Sequence, residues 1–169
     1  MKENRIVHYF IAIITVITTV IFDQWTKYLA VTNLKDQEPF TLIEGVFKLQ
    51  YLENRGAAFG LLQDQRLYFY FSMLLITVLV IWFYLKVPMT KKYLPLRICS
   101  VLILSGGLGN FIDRVRLNYV VDFFYFELID FPIFNVADIY VTVTMFVLLY
   151  LIFFYYKEED LDGIFSCRK

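Results

Sequence analysis

Four stretches of this chain carry no charged residue at all: Ile6–Phe22, Leu67–Leu85, Ile98–Ile112 and Ile139–Tyr156. A helix rises about 1.5 Å per residue and the hydrocarbon layer is about 30 Å thick, so roughly 20 residues cross it. The second and fourth stretches are near that length. The first is completed by Asp23–Val31 and the third by Leu94–Arg97. The predicted architecture is one integral membrane domain over 1–169, with spans near 6–30, 67–87, 94–113 and 137–156. At 59% hydrophobic, the chain is also well above the apolar share of about 45–50% usual in soluble domains.

Between the spans lie two longer segments, 31–66 and 114–136. Within them Thr41–Glu53 alternates apolar and polar residues around Gly45, and Val120–Phe134 is dense in Phe, Tyr and Val. Both read as extended. Open strand edges are not tolerated in hydrocarbon, so these strands are expected to pair. The fold class is therefore an all-α membrane protein of four transmembrane helices with a small extracytoplasmic antiparallel β platform.

Orientation follows from loop charge. The short link Pro88–Tyr93 holds Lys91 and Lys92 between Lys86 and Arg97, which places it and both termini on the cytoplasmic side. No small-x-small cleavage site follows the first span, which reads as a retained anchor. Net charge is zero and gives no reason to invoke nucleic acid. Cys99 and Cys167 form no disulfide framework. The end Lys157–Lys169 reads as a charged, mobile tail.

With that topology every unusual polar residue falls on the outer side: Asp23, Gln24, Thr26 and Lys27; Asn54–Gly60; Gly106–Arg114; Asp122; and Asn135 with Asp138. Ionisable groups at membrane depth are costly and mark function. Each also has a structural reading. Asp23 and Lys27 are spaced as a helical ion pair. Gly106, Gly107 and Gly109 suit close helix packing. Asn135 and Asp138 have capping-box spacing. Asp113 is neutralised, on this reading, by adjacent Arg114. Asp122, in an aromatic run with no basic neighbour closer than Arg116, has no comparable structural account.

Elimination narrows the chemistry. The single histidine, His8, lies at the far end of the first span, so a Ser-His dyad at the outer site is excluded, and nothing has metal-ligand spacing. What remains is carboxylates. Two of them held close cannot both ionise, so one serves as base and one as acid.

The motifs DQWTK, NRGAAFG, GGLGNFIDR, VVDF and FNVAD, in that order, resemble those of the lipoprotein signal peptidase (signal peptidase II) family, from about Asp23 to Asp138. The resemblance implies an aspartic-type endopeptidase of the bacterial cytoplasmic membrane that cuts prolipoprotein signal peptides before a diacylglyceryl-modified cysteine and is inhibited by globomycin. It implies no cofactor and no metal. Its implied partners are diacylglyceryl-cysteine prolipoproteins and membrane lipids, with the chain expected as a monomer. The catalytic pair falls on Asp122 and Asp138, with Asp113 the rival first member. Supporting or substrate-binding positions are Asn54, Gly56, Asn110, Asp113, Arg114, Asn135, Asp23 and Lys27. Ile139, Tyr140 and Arg55 depart from the family pattern, and Phe59, Trp25 and Phe123 are candidates for an acyl-facing surface. Asp138, near a helix N-terminus, is assigned the base and Asp122 the proton. Two other classes compete: a proton- or ion-coupled transporter with an aspartate relay, and a membrane scaffold protein with a structural polar collar.

Overall fold

The computed structural model describes residues 5–56 and 65–165. Four of its helices are long and apolar enough to cross a membrane: α1 (Arg5–Leu34), α2 (Arg66–Lys86), α3 (Leu94–Leu117) and α4 (Val136–Tyr150), the last prolonged by a π-helical turn over Leu151–Tyr155. Their surfaces invert the soluble pattern. Large side chains such as Phe10, Phe71, Leu74 and Phe146 lie exposed, while Asp23, Lys27, Ser105, Asp113 and Thr144 are buried. That distribution fits a lipid solvent, in which apolar groups need no cover and polar groups need partners.

Helix α3 is the hub, with α1, α2 and α4 all packed on it. Its glycines make this possible, each toward a different neighbour. A Cβ on Gly106 would stand 2.5 Å from the Ala137 carbonyl oxygen of α4, and one on Gly109 2.5 Å from Asp23 Oδ2 of α1. At Gly107 it would meet Met73 Sδ of α2 at 2.9 Å. The packing reading of these glycines therefore holds.

The strands β1 (Phe40–Ile43), β2 (Phe47–Asn54) and β3 (Val120–Phe126) form one antiparallel sheet in that order. Gly45, at φ +69°, turns β1 into β2. The β2–β3 register shifts between Leu49 and Leu52, a bulge after which Leu52 stands opposite Asp122. Val121 and Phe123 bury with Ala30 of α1 and Val136 of α4, which seats the sheet on the ends of two spans.

Four differences from the sequence reading have physical causes. Helix α3 runs a turn beyond Asp113, to Leu117, so Arg114 and Arg116 are helical; Asn118 ends it in the left-handed region at φ 68°. The second extended run stops at Phe126, short of Phe134. A 3₁₀ turn (Glu127–Ile129) and a left-handed Asp130 double the chain back, so that Phe134 bonds Phe124 and nearby Pro132 lacks an N–H to extend a ladder. The tail forms a helix, α5 (Glu158–Phe165), because Leu161 and Ile164 share a face that packs against Val87, Leu96 and Cys99. Lys92 and Asp160 clamp it at 2.5 Å. Phe123 is buried rather than facing lipid, whereas Trp25 is exposed; Phe59 and Cys167 lie outside the described residues.

Candidate active site

Polar side chains from α1, α3, α4 and the sheet meet where the sheet covers the ends of those three helices. On α1, one helical turn separates Asp23 from Lys27, and the ammonium reaches Asp23 Oδ2 at 2.9 Å. It also reaches Asp113 Oδ2 of α3 at 3.0 Å. The expected neutralisation of Asp113 by adjacent Arg114 is thus corrected: successive helical residues diverge by about 100°, and the cation facing Asp113 comes from the neighbouring helix. All three groups are at most 3% exposed. Buried ions require such mutual compensation.

Oxygens of this cluster also organise the backbone. Asp23 Oδ1 accepts the Ala137 N–H at 2.9 Å, satisfying a first-turn donor of α4 from another helix. Asp113 Oδ2 accepts the Val121 N–H at 3.2 Å and so ties β3 to α3. Gln24 Nε2 bridges Asp113 Oδ1 at 2.9 Å and the Gly109 carbonyl at 3.1 Å. Gln24 was not among the candidate site residues. Its signal was its place beside Asp23 at a polar span end.

Asn135 caps α4 in a full capping box: its Oδ1 accepts the Asp138 N–H at 3.1 Å, and its own N–H donates to Asp138 Oδ2 at 3.1 Å. The structural reading is correct, yet it is incomplete. The same side chain donates from Nδ2 to Asp122 Oδ1 at 2.6 Å, so a single asparagine joins both aspartates. Asn110 Nδ2 donates to Asp138 Oδ1 at 2.8 Å. Asn54 Nδ2 donates to Asp122 Oδ2 at 2.9 Å, while its Oδ1 accepts the Gly56 N–H at 3.0 Å.

Asp122 is only 1% exposed. Burial, and after it the charge of Asp138, push its carboxyl up to about 7 from the ordinary 3.8, against the pull of the Asn54 and Asn135 hydrogen bonds and of Lys27. Arg114 is within electrostatic reach of Asp122, Asp138 and Asp113. It donates to the Gly56 carbonyl at 2.9 Å and lies 4.1 Å over the Phe69 ring, linking α3 to α2 and to the chain after β2.

Asp122 and Asp138 line one cavity of about 990 Å³, with Asn54, Gly56, Asn110 and Arg114 on the same wall. The rest is largely apolar, contributed by α2, α3, α4 and the residues after β3. Arg55 and Ile139, two of the unusual positions, line it as well, whereas the Tyr140 hydroxyl turns to the Thr19 carbonyl at 3.5 Å. Asp23, Lys27 and Asp113 do not line it.

Fold and site together define a four-span integral membrane protein with a bridged pair of aspartates beneath a three-stranded sheet. The family described as signal peptidase (SPase) II matches residues 14–154. The chain belongs to that family. It is 45% identical over 150 residues to a lipoprotein signal peptidase of Streptococcus thermophilus (strain CNRZ 1066), covering 87% of this chain and 93% of the relative. With that of Streptococcus pyogenes serotype M1 it shares 42% over 150 residues, covering 88% and 94%. A bacterial membrane enzyme solved by the in meso method superposes with a TM-score of 0.74 at 30% identity, covering 94% of this chain and 92% of the other.

Proposed function

We propose that this protein removes the signal peptide from diacylglyceryl-modified bacterial prolipoproteins, cleaving before the lipidated cysteine by an aspartic mechanism. The observation that carries the reading is the pair Asp122 and Asp138, joined through Asn135 and facing one cavity at the end of the spans. Asp138 is the third residue of α4. The positive end of the helix dipole, worth about 0.3–1 kcal/mol, favours a negative charge there. Asp138 thus takes a proton from a water that attacks the scissile carbonyl carbon. Protonated Asp122 hydrogen-bonds the carbonyl oxygen and then delivers its proton to the leaving nitrogen.

The cavity's mixed lining suits this substrate. The aspartates sit at its polar side, and the apolar wall provides a surface for acyl chains and for the hydrophobic signal segment. The basic α2–α3 link supports an orientation with both termini in the cytoplasm and the aspartates on the outer face of the cytoplasmic membrane. The protein works on this reading as a monomer and without a cofactor.

The test is a gel-mobility assay with purified protein and a prolipoprotein supplied in lipidated and unlipidated forms. The expected result is a shift for the lipidated form alone, lost on Asp138→Asn. Equal cleavage of both forms, or cleavage by Asp138→Asn at the wild-type rate, would contradict the proposal.

A further inference from the structure

We propose that Lys27 is a positioning residue for the reaction, acting through the direction in which the Asn110 amide points and touching neither Asp122 nor Asp138. This deepens the aspartate-pair reading and rests on it.

The proposal rests on the polarity of a chain of amides. Lys27 Nζ donates to Asn110 Oδ1 at 2.8 Å. Asn135 Nδ2 donates to that same oxygen at 3.0 Å. An ammonium has three donors and no acceptor, whereas an amide can turn over and exchange its oxygen for its NH₂. Against Lys27 only the oxygen of Asn110 is tolerated, since the turned amide would set NH₂ against NH₃⁺. Asn110 Nδ2 is thereby directed at Asp138 Oδ1, 2.8 Å away. Asn135 is held in the matching sense, its NH₂ donating to the Asn110 oxygen and to the Val121 carbonyl at 3.3 Å while its oxygen accepts the Asp138 N–H. The same NH₂ is directed at Asp122 Oδ1 at 2.6 Å.

Each aspartate consequently receives an amide donor, Asp138 from Asn110 and Asp122 from Asn135. Without the ammonium the Asn110 amide loses the charged partner that fixes its oxygen, and its reversal sets an oxygen against Asp138 Oδ1, whereas Asn135 stays held by the Asp138 N–H and the Val121 carbonyl. Asp23 and Asp113 have a stated part in this. Their oxygens hold Lys27 at 2.9 and 3.0 Å, and they balance its charge in a buried setting. Lys27 also acts electrostatically on Asp122, alongside Asp138 from α4 and Arg114 from α3. The orienting and electrostatic effects differ in what removes them: a neutral donor at position 27 retains the first and loses the second.

The experiment uses the full-length protein in lipid, with kcat, KM and the pH profile of kcat measured on a lipidated prolipoprotein. Asp23→Asn is the background, because pairing it with loss of the lysine leaves the buried cluster's formal charge at −1, and asparagine keeps an oxygen for the Ala137 N–H. Asp23→Asn/Lys27→Met has neither donor nor charge; Asp23→Asn/Lys27→Gln has an amide donor without charge. The expected result is a fall in kcat of tenfold or more for the Met variant relative to Asp23→Asn, KM within about twofold, and substantial recovery of kcat in the Gln variant. In both variants the high-pH limb of kcat moves to higher pH, since the cation that favoured ionised Asp122 is gone.

Equal kcat in the Met and Gln variants, or an unfolded protein in both, would assign Lys27 to charge balance or stability and overturn the proposal. Asp138→Asn in the same assay keeps the two levels apart. If it cleaves normally, the aspartate-pair reading itself fails; if it is inactive while Met and Gln behave alike, only the role of Lys27 fails.

Discussion

Burial of the Asp122 carboxyl beside Asp138 gives the site a proton that an exposed aspartate would have lost, and this has opposite consequences for activity and stability. As the proposed acid, Asp122 must be protonated, so kcat should fall as pH rises through about 7. For stability, the folded protein binds a proton that the unfolded chain releases near 3.8. Stability therefore declines as pH climbs between those two values and levels off above the higher one. Asp122→Asn removes this dependence: its melting temperature should exceed the wild type's at pH ~8 by more than at pH ~4, checked by thermal denaturation in lipid. At this scale the sequence was informative about individual aspartates. Asp122 stood out because no neighbour accounted for it, and Asp138 because it followed Asn135 at capping distance. Pairings between helices were not legible. Lys27 was matched to Asp23 by spacing, but its hold on Asp113 and Asn110 depends on how α1 is rotated against α3, which no local pattern encodes.

Close approach of α4 to α3 sets where Asp138 stands, and Gly106 and Gly109 permit it. Gly106→Ala puts a methyl group into the rigid Ala137 carbonyl, and Gly109→Ala puts one into Asp23, itself fixed by Lys27. Gly107→Ala meets only the end of the flexible Met73 side chain. The expected order is a large loss of melting temperature and activity for the first two and a small loss for Gly107→Ala, measured on purified proteins. Overpacking of this kind typically costs about 1–3 kcal/mol. The four spans were readable from the charge-free runs and their flanks, apart from the last turn of α3, and the hairpin from alternation around Gly45. The end of β3 was not, because Phe131 and Phe134 continue the aromatic composition past the left-handed Asp130. Helix α5 was hidden by its many acidic residues; Leu161 and Ile164 pack it onto residues of the preceding helices and their ends.

Among the described residues the buried carboxyls Asp23, Asp113 and Asp122, with Lys27 and Asn135, lie at one end of the bundle, beneath the sheet, and the α2–α3 link with its lysines and buried Arg97 lies at the other. Membrane orientation connects this asymmetry to function. Single cysteines placed at exposed Leu128 and at exposed Lys91, in a background without Cys99 and Cys167, should be labelled by an impermeant thiol reagent from outside only at position 128. Labelling of position 91 alone would invert the topology and remove the proposed access of an exported precursor to the site.

On the proposed mechanism Asp122 and Asp138 act as a pair while Asp113 supports them through Lys27. Its most direct test compares cleavage rates of a lipidated prolipoprotein by Asp122→Asn, Asp138→Asn and Asp113→Asn. The expected outcome is a loss of roughly 10²–10⁴-fold for each of the first two. Asp113→Asn should retain measurable turnover. Near wild-type cleavage by Asp122→Asn, with Asp113→Asn inactive though folded, would instead place Asp113 in the pair and contradict the account.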